Sequence, residues 1–463
     1  MRVATEREIK LEAPPGYVLP ELDGEPLARR VFTSTYYDVP GASLARAGIT
    51  LRRRVENGNA LWQLKLPAED GRLEIEEPGG PVAPPNPIAR QLVAHVRHGP
   101  LEPVAELRTI RSGVLVEAGR AEVVLDEVTV MDGNRAAAAF TEIEVELRTD
   151  DGGGLDAIAR RLRRAGARKG DGRPKLMRVL GDSRGPEQPE PLRRWLREQL
   201  DEMLAHDPGT RLGADPEDLH DFRVAVRRSR ALLRTGRRFI DAERSEPLRA
   251  ELKWLGGVLG AVRDLDVILE HLRKEIARLD EAERSAADGL LAALARERGA
   301  ARRTLLKALG SARYFALLDS LEEAARELPV ADGGRLPALA RKEFKKLRRD
   351  TKAAGSDPSD ETLHALRIRG KRARYAAEFA DAGKRSRAFV AAAKEFQDTL
   401  GEHQDAVVLD ERLRGMLDPD ASAVRGVVVG RLIEREHARR DAARAAWPEA
   451  WRKLARRGRR AFA

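Results

Sequence analysis

Leu219-His-Asp-Phe-Arg-Val-Ala-Val-Arg-Arg-Ser-Arg230 and Leu363-His-Ala-Leu-Arg-Ile-Arg-Gly-Lys-Arg-Ala-Arg374 are two near-copies of one segment. Each is followed downstream by a second matched pair, Leu259-Gly-Ala-Val-Arg-Asp264 and Leu400-Gly-Glu-His-Gln-Asp405. The C-terminal half is therefore an internal duplication. On a helix, at about 100° per residue, His220, Arg223, Arg227, Arg230 and Arg234 fall in one narrow stripe. His364, Arg367, Lys371 and Arg374 repeat the spacing, while Phe222, Val226 and Leu233 take the opposite side, where they can pack. A single charged stripe is ordinarily a solvated face. The same stripe twice, headed each time by His, points to a face kept for an anion, because cations this dense repel one another without one.

Working outward, almost everything from Pro191 onward is rich in Ala, Leu, Arg and Glu with helical period. Breaks fall near Asp207–Asp215, Pro329–Arg335, Gly355–Ser359 and Pro419–Ala421, a spacing that predicts helical hairpins packed as two pseudo-symmetric bundles. Before Val179 the pattern changes to period 2, in the runs Arg2–Leu11, Ile49–Val55, Ala60–Leu66, Arg72–Glu76, Arg120–Val130 and Phe140–Leu147. Gly, Pro and Asn clusters separate these runs, as in an antiparallel sheet or barrel. Leu155–Arg164 reads as one amphipathic helix, with Leu155, Ile158, Ala159 and Leu162 on its apolar side. The expected fold class is α+β. A closed antiparallel β-barrel occupies residues 1–180, a Pro/Gly linker 181–190, and an all-α domain 191–463.

Composition sets outer bounds. At 463 residues the chain is too long for one core. Charged residues make up 35%, the net charge is +10 and the isoelectric point is near 9.9, which favours a polyanionic partner. Aromatics are only 4%, which argues against base-stacking platforms for single-stranded nucleic acid. Cysteine is absent, so thiolate and disulfide chemistry are excluded. No stretch approaches the ~20 apolar residues of a membrane span, and no apolar run follows Met1, so a cytoplasmic protein is expected.

In the first half, alternation gathers charge on single faces. Glu6, Glu8 and Lys10 share one side of the first strand; so do Arg52 and Arg54, Gln63 and Lys65, and Arg72, Glu74 and Glu76. Glu142, Glu144 and Glu146 form a further row, with Ile143 and Val145 opposite. An antiparallel sheet commonly shows water its polar face. Aligned charges of both signs on five strands suggest something narrower, a barrel interior crowded with carboxylates and cations that must be paired or ligated. An all-oxygen donor set suits Mg2+ or Mn2+ rather than zinc, and no His or Cys cluster offers the alternative. His95 and His98, in a Pro/Gly-flanked stretch, read as surface residues.

These motifs resemble a known family. Glu6-Arg-Glu-Ile-Lys10 is similar to the Glu-x-Glu-x-Lys opening of CYTH domains, the triphosphate tunnel metalloenzymes. The resemblance continues through Tyr36-Tyr-Asp38, Leu51-Arg-Arg-Arg54, Leu64-Lys65, Arg72-Leu-Glu-Ile-Glu76, Leu125-Asp126 and Glu142-Ile-Glu-Val-Glu146. The helical half resembles a CHAD domain, the conserved histidine α-helical domain, through its two His-x-x-Arg stripes and Leu-Gly-x-x-x-Asp segments. Proteins joining the two in this order have a CYTH part that resembles inorganic triphosphatases, and CHAD domains are associated with inorganic polyphosphate.

The resemblance implies roles. Glu6, Glu8, Glu144 and Glu146, with Asp126, would hold Mg2+ or Mn2+. Lys10, Arg52, Arg54, Lys65, Arg72 and Arg108 would grip triphosphate oxygens, Arg in forked pairs and Lys as a point charge. Glu74 and Glu76 fall on the family's Arg-x-Glu-x-Glu strand, and Lys175 on its late Ser-Lys pair, where Pro174 here replaces the serine. Val39 stands where Thr often follows the Tyr-Asp pair. In the helical half the two stripes, His220, Arg223, Arg227, Arg230 and Arg234 with His364, Arg367, Lys371 and Arg374, would line a polyphosphate groove. Lys253, Arg263 and His403 are candidates from neighbouring helices, and Asp264 and Asp405 hold matched positions.

The leading expectation is metal-dependent hydrolysis of inorganic or another triphosphate, with polyphosphate bound by the helical half, which can also locate the protein on polyphosphate granules. A non-catalytic polyphosphate-binding protein, and a tunnel acting on a nucleoside or thiamine triphosphate or cyclising ATP, are the alternatives. General nucleic-acid binding has basicity in its favour but no motif. Histidines beside phosphate would tighten binding as pH falls toward 6.

Overall fold

In the computed structural model, residues 1–68, 71–97, 99–149, 154–170, 172, 174–180, 190–237, 239–330, 336–380, 383–417 and 423–462 are described. Almost all of the expected linker lies outside them, as do His98, residues 331–335 of the break at Pro329–Arg335 and the whole of the break at Pro419–Ala421.

The first half is one ten-stranded antiparallel sheet: β1 (Arg2–Glu6), β2 (Glu8–Glu12), β3 (Gly24–Asp38), β4 (Thr50–Glu56), β5 (Asn59–Ala68), β6 (Gly71–Pro78), β7 (Glu102–Val116), β8 (Ala121–Asp132), β9 (Arg135–Leu147) and β10 (Arg168–Lys169). The strand order is β1-β6-β5-β4-β3-β7-β8-β9-β2-β10. The paired order runs from β1 to β10 and does not itself show the closure of the expected barrel. The first run of chain is split at Arg7: β1 pairs with β6 and β2 with β9. One chain segment therefore serves both flanks of the sheet.

Alternation decides which face is covered. Leu11, Val123, Ile143 and Val145 pack under α3 (Leu155–Arg164) through Ile158, Ala159 and Leu162. Ile49, Leu51, Trp62, Leu64 and Ile75 pack with α1 (Ser43–Arg46) and α2 (Asn86–Leu92). The apolar positions in these two cores thus lie beneath helices, and most charged positions take the other face. On that face α4 (Lys175–Leu180) packs Leu176 against Tyr36, Leu107 and Val128.

His95 is buried, not on the surface. Its Nε2 lies 3.0 Å from the Leu204 carbonyl, so Nε2 carries the proton and Nδ1 accepts from the Ser43 hydroxyl at 3.1 Å. Burial lowers its pKa, which keeps the ring neutral.

The second half is all helix: α5 (Pro191–Leu212), α6 (Pro216–Gly236), α7 (Ala242–Ile276), α8 (Glu281–Leu309), α9 (Ala312–Glu327), α10 (Leu336–Ala354), α11 (Asp360–Ala380), α12 (Lys384–Gly415) and α13 (Ala423–Ala461). Asp215, Asp241, Asp280 and Ser311 cap α6, α7, α8 and α9, each accepting a backbone N–H of the first turn. Helices α10 to α13 share one core around Phe344, Phe389, Phe396 and Leu454. A second core takes Leu265, Leu269 and Leu272 of α7, Leu290 and Leu294 of α8, Leu409 and Leu413 of α12, and Leu432 of α13. The duplicated halves therefore share a core through their long helices and are not two separate bundles. Contacts divide the chain into two compact units, one with the sheet, α1–α4 and the Leu204–Ala214 end of α5, the other with the rest of the helices. No described helix is long and apolar enough to cross a membrane.

Candidate functional site

On its charged face the sheet encloses a cavity of about 220 Å3. Glu6, Glu8, Lys10, Arg52, Arg54, Lys65, Arg72, Glu74, Glu76, Glu144, Glu146 and Lys175 all line it, as does Pro174. Pairing brings them together. Glu8 stands opposite Glu146, and Glu146 opposite Glu122, which makes a lateral row of carboxylates across β2, β9 and β8. Across the break at Arg7, Glu6 ends β1 and receives Lys65 Nζ at 2.5 and 2.6 Å.

The cations are aimed by fixed partners. Arg52 donates to Gln63 Oε1 at 2.7 Å and to the Tyr36 hydroxyl at 3.2 Å, and Gln63 in turn donates to Glu76 at 2.6 Å and Glu74 at 3.2 Å. Arg72 donates to the Gly48 carbonyl at 2.6 Å. Arg54 lies 3.8 Å over the Phe32 ring and is tied to Glu56, which also takes both arms of Arg30. Burial, and then Arg52, push Arg54 down to about 10. The Arg30 hydrogen bond chiefly pulls Glu56 down to about 2.

Two expected residues do not line the cavity. Arg108 is exposed. Arg111, three positions on, lies inward with the buried Leu107 and Thr109 and donates to Asp126 at 2.7 and 2.6 Å and to Glu144 at 2.6 Å. Asp126 is fully buried behind the lining and also receives Lys175 Nζ at 2.8 Å. The usable signal was Asp126 itself: a carboxylate within an apolar strand needs a cation, and its cross-strand partner is Arg111, not Arg108. Glu122, Arg30 and Arg148 also line the cavity without having been singled out.

Asp126, Glu142 and Glu144 bring carboxylate oxygens within 4.8 Å of one another, a buried acidic cluster compatible with a divalent cation. Lys175 Nζ lies 2.8, 2.7 and 2.8 Å from the three. Lys10 adds a contact to Glu144 at 2.7 Å. Burial alone would lower Lys175 and raise Glu144, but the mutual ion pairs dominate, holding Lys175 well above its ordinary value and Glu144 well below. Glu142, chiefly through burial, is raised. The row at Glu146 is different. Burial, and then Glu6, with Glu144 and Glu122 adding, push its carboxyl up to about 7. Carboxylates that repel one another this strongly are what a cation would neutralise. Among the described residues the lining contains neither His nor Cys, so the donor set fits a hard cation.

In the helical unit, five of the expected residues converge: Arg223 and Arg227 of α6 with Arg367, Lys371 and Arg374 of α11. Burial, then this ring of guanidinium groups, push Lys371 down to about 8. The buried Nε groups of Arg227 and Arg367 have no hydrogen-bond partner. A cavity of about 1170 Å3 adjoins, reached by His220, Arg227 and Arg374 and by the acidic Glu378. Arg230, Arg234, Lys253 and His364 are exposed and stand apart from this ring. Arg263 pairs with Glu217 at 3.1 Å. His403 is buried with Nε2 3.1 Å from Asp360, and its counterpart in the first repeat is the buried Val262, so its place is in the packing. Burial, and then Arg263, hold His220 below its ordinary value; burial does the same for His403.

A model of the CYTH domain matches residues 4–174, and a model of the CHAD domain matches residues 194–414. Two uncharacterized proteins of Mycobacterium tuberculosis, from strains CDC 1551 / Oshkosh and ATCC 25618 / H37Rv, are each 36% identical over 428 residues, 82% of this chain and 81% of theirs. Among solved structures, PptA from Streptomyces chartreusis is 24% identical, covering 57% of this chain and 98% of its own, with a TM-score of 0.47. The CHAD domain from the plant Ricinus communis is 28% identical, covering 56% and 90%, with a TM-score of 0.45.

Proposed function

Because the chain belongs to the family in which a CYTH domain is followed by a CHAD domain, we propose that it hydrolyses inorganic triphosphate with Mg2+ or Mn2+ and binds polyphosphate on its helical half. The observation that carries the first part is the cavity: about 220 Å3, lined by both carboxylates and fixed cations. That is below the roughly 300 Å3 at which pockets for drug-sized ligands begin, and suits a compact polyanion better than a whole nucleotide. Among the described residues Tyr36 is the one aromatic side chain in the lining, and its hydroxyl accepts from Arg52, which gives a base-stacking site little support.

Hydrolysis needs the phosphate charge neutralised before water can reach phosphorus. Lys10, Arg52, Lys65, Arg72 and Arg111 surround the cavity at fixed angles, so they bind and orient the oxygens with little reorganisation. Glu6, Glu8, Glu144 and Glu146 would hold the divalent cation, which supplies charge neutralisation and a more acidic bound water. Lys175, locked to three carboxylates, fixes the base of the site. Among the described residues no Ser, Cys or His lines the cavity, and water is the phosphoryl acceptor in this reading.

The helical part rests on the ring of Arg223, Arg227, Arg367, Lys371 and Arg374, whose mutual repulsion a phosphate chain relieves. Phosphate release from inorganic triphosphate, with Mg2+ or Mn2+, tests the enzyme. Wild type should release phosphate and Glu6→Ala/Glu8→Ala should not. No release by wild type from any triphosphate would leave a binding protein. Competition between polyphosphate and duplex DNA at physiological salt tests the second part, and equal competition would replace polyphosphate with a general polyanion.

A further inference from the structure

The inference rests on the reading of the helical half as a polyanion binder and concerns two glycines. Gly260 and Gly401 are buried inside the long helices α7 and α12, where no turn calls for glycine. Glycine inside a helix is disfavoured relative to alanine, so its presence there needs a packing or functional reason. Both are the second residue of the repeated Leu-Gly-x-x-x-Asp segment.

A methyl group built on Gly260 would lie 3.4, 3.6 and 3.7 Å from Nη2, Nε and Cζ of Arg223. Built on Gly401, it would lie 3.1, 3.6 and 3.7 Å from Nη2, Cζ and Nε of Arg367. The same three atoms of the equivalent arginine meet the same missing side chain in both repeats. Each guanidinium therefore packs closely on a bare patch of helix, Nη2 nearest. One turn further on, Asp264 takes Arg223 Nη1 at 3.0 Å; the matched Asp405 is raised by burial, with Arg367 opposing that rise. Neighbouring glycines of α7 differ: Gly256 faces Val226, and Gly257 has nothing within 4 Å.

We propose that Gly260 and Gly401 are positioning residues of the anion-binding face, whose missing side chains set the height and tilt of Arg223 and Arg367. The bare helix supports each guanidinium on its Nη2 side, and for Arg223 Asp264 holds Nη1, leaving the remaining N–H groups to face the phosphate chain. Orientation matters for a planar fork that bonds oxygens in pairs; it would matter little for a point charge.

The test uses the full chain and inorganic polyphosphate as probe, with affinity and melting temperature read on each variant. Gly260→Ala and Gly401→Ala should each weaken binding about tenfold, the scale of one well-made charged hydrogen bond. Their melting temperatures should be unchanged or higher, as for Gly257→Ala, which should bind like wild type. In an Arg367→Lys background, Gly401→Ala should cost much less affinity, because the fork it positions is gone. Wild-type affinity in Gly260→Ala and Gly401→Ala would overturn the proposal. So would equal losses with and without Arg367→Lys. Should Gly401→Ala not fold, Gly260→Ala, at the looser 3.4 Å, decides: a loss of stability without a selective loss of affinity counts against it. Failure of wild type to bind polyphosphate would instead remove the polyanion reading, and this inference with it.

Discussion

Arg108 and Arg111 are three residues apart on one strand, yet only Arg111 reaches the cavity, where it clamps Asp126 and Glu144. Arg111→Ala should therefore lower triphosphate turnover by roughly 100-fold or more, the scale for losing one preorganised charged donor. Arg108→Ala, exposed, should stay within about twofold on the same phosphate-release assay. The sequence shows that an arginine on this strand matters but not which one, because parity is set by cross-strand register rather than by spacing along the chain. Lys371 carries the second residue-scale prediction. Arg367 and Arg374 on its own helix, and Arg223 and Arg227 on α6, surround it, and its ammonium is held near 8 against an ordinary 10.5. Bound phosphate favours the charged form. Between pH 8 and 10.5 the free folded protein has already lost this proton, so binding must take one up, and affinity should fall as pH rises through 8. Over the same window the free protein should gain stability, because its unfolded chain binds the extra proton. Titrations from pH 6 to 9.5 at constant ionic strength should show this limb, and Lys371→Arg should flatten it. At His220, held below its ordinary value, the same linkage moves the histidine tightening to lower pH, and His403 is buried in the helix packing.

At the scale of elements, the longest strands were the least legible. β3 and β7 run 15 residues each and pair with one another. Their shared ladder has register shifts between Leu27 and Arg30 and between Tyr36 and Tyr37, and each shift resets the alternation that a period-2 reading depends on. The shorter β4, β5 and β6, which pair without such shifts, were legible to within a few residues. α3 was legible because its apolar stripe has a single partner, the back of the sheet. Asp38 closes β3 and shows what patterning misses. It is fully buried and its carboxylate accepts from the backbone N–H groups of Val39, Leu44 and Ala45 at 2.8, 2.9 and 2.9 Å. Those bonds fix the turn into α1 two residues beyond the cavity residue Tyr36. Asp38→Ala would leave three donors unsatisfied and should cost about 3 kcal/mol or more of unfolding free energy. Urea denaturation followed by circular dichroism reads that directly; a loss below about 1 kcal/mol would mean that water replaces the carboxylate.

Across the whole molecule, the two chemistries answer to different variables, so they should come apart on demand. The sheet cavity is small, and its cations are pinned by protein carboxylates at hydrogen-bond distance. Hydrolysis there should respond to the divalent cation first. The helical ring brings five cations together, and in the proposed binding its gain would come from displacing counterions from a long phosphate chain. Binding there should respond to monovalent salt first, with log affinity falling against log salt with a slope on the order of −4. Chelating the divalent cation, or changing Glu6→Gln/Glu8→Gln, should therefore abolish phosphate release while polyphosphate binding stays within about twofold of wild type. Arg223→Ala/Arg367→Ala should do the reverse, lowering the slope by about 2 and leaving turnover of short triphosphate unchanged. Both measurements belong on one preparation, because the informative result is the crossing. If the helical substitutions slowed hydrolysis of triphosphate as much as they weakened binding, the two halves would be one site divided between them, and the assignment of catalysis to the sheet alone would fall.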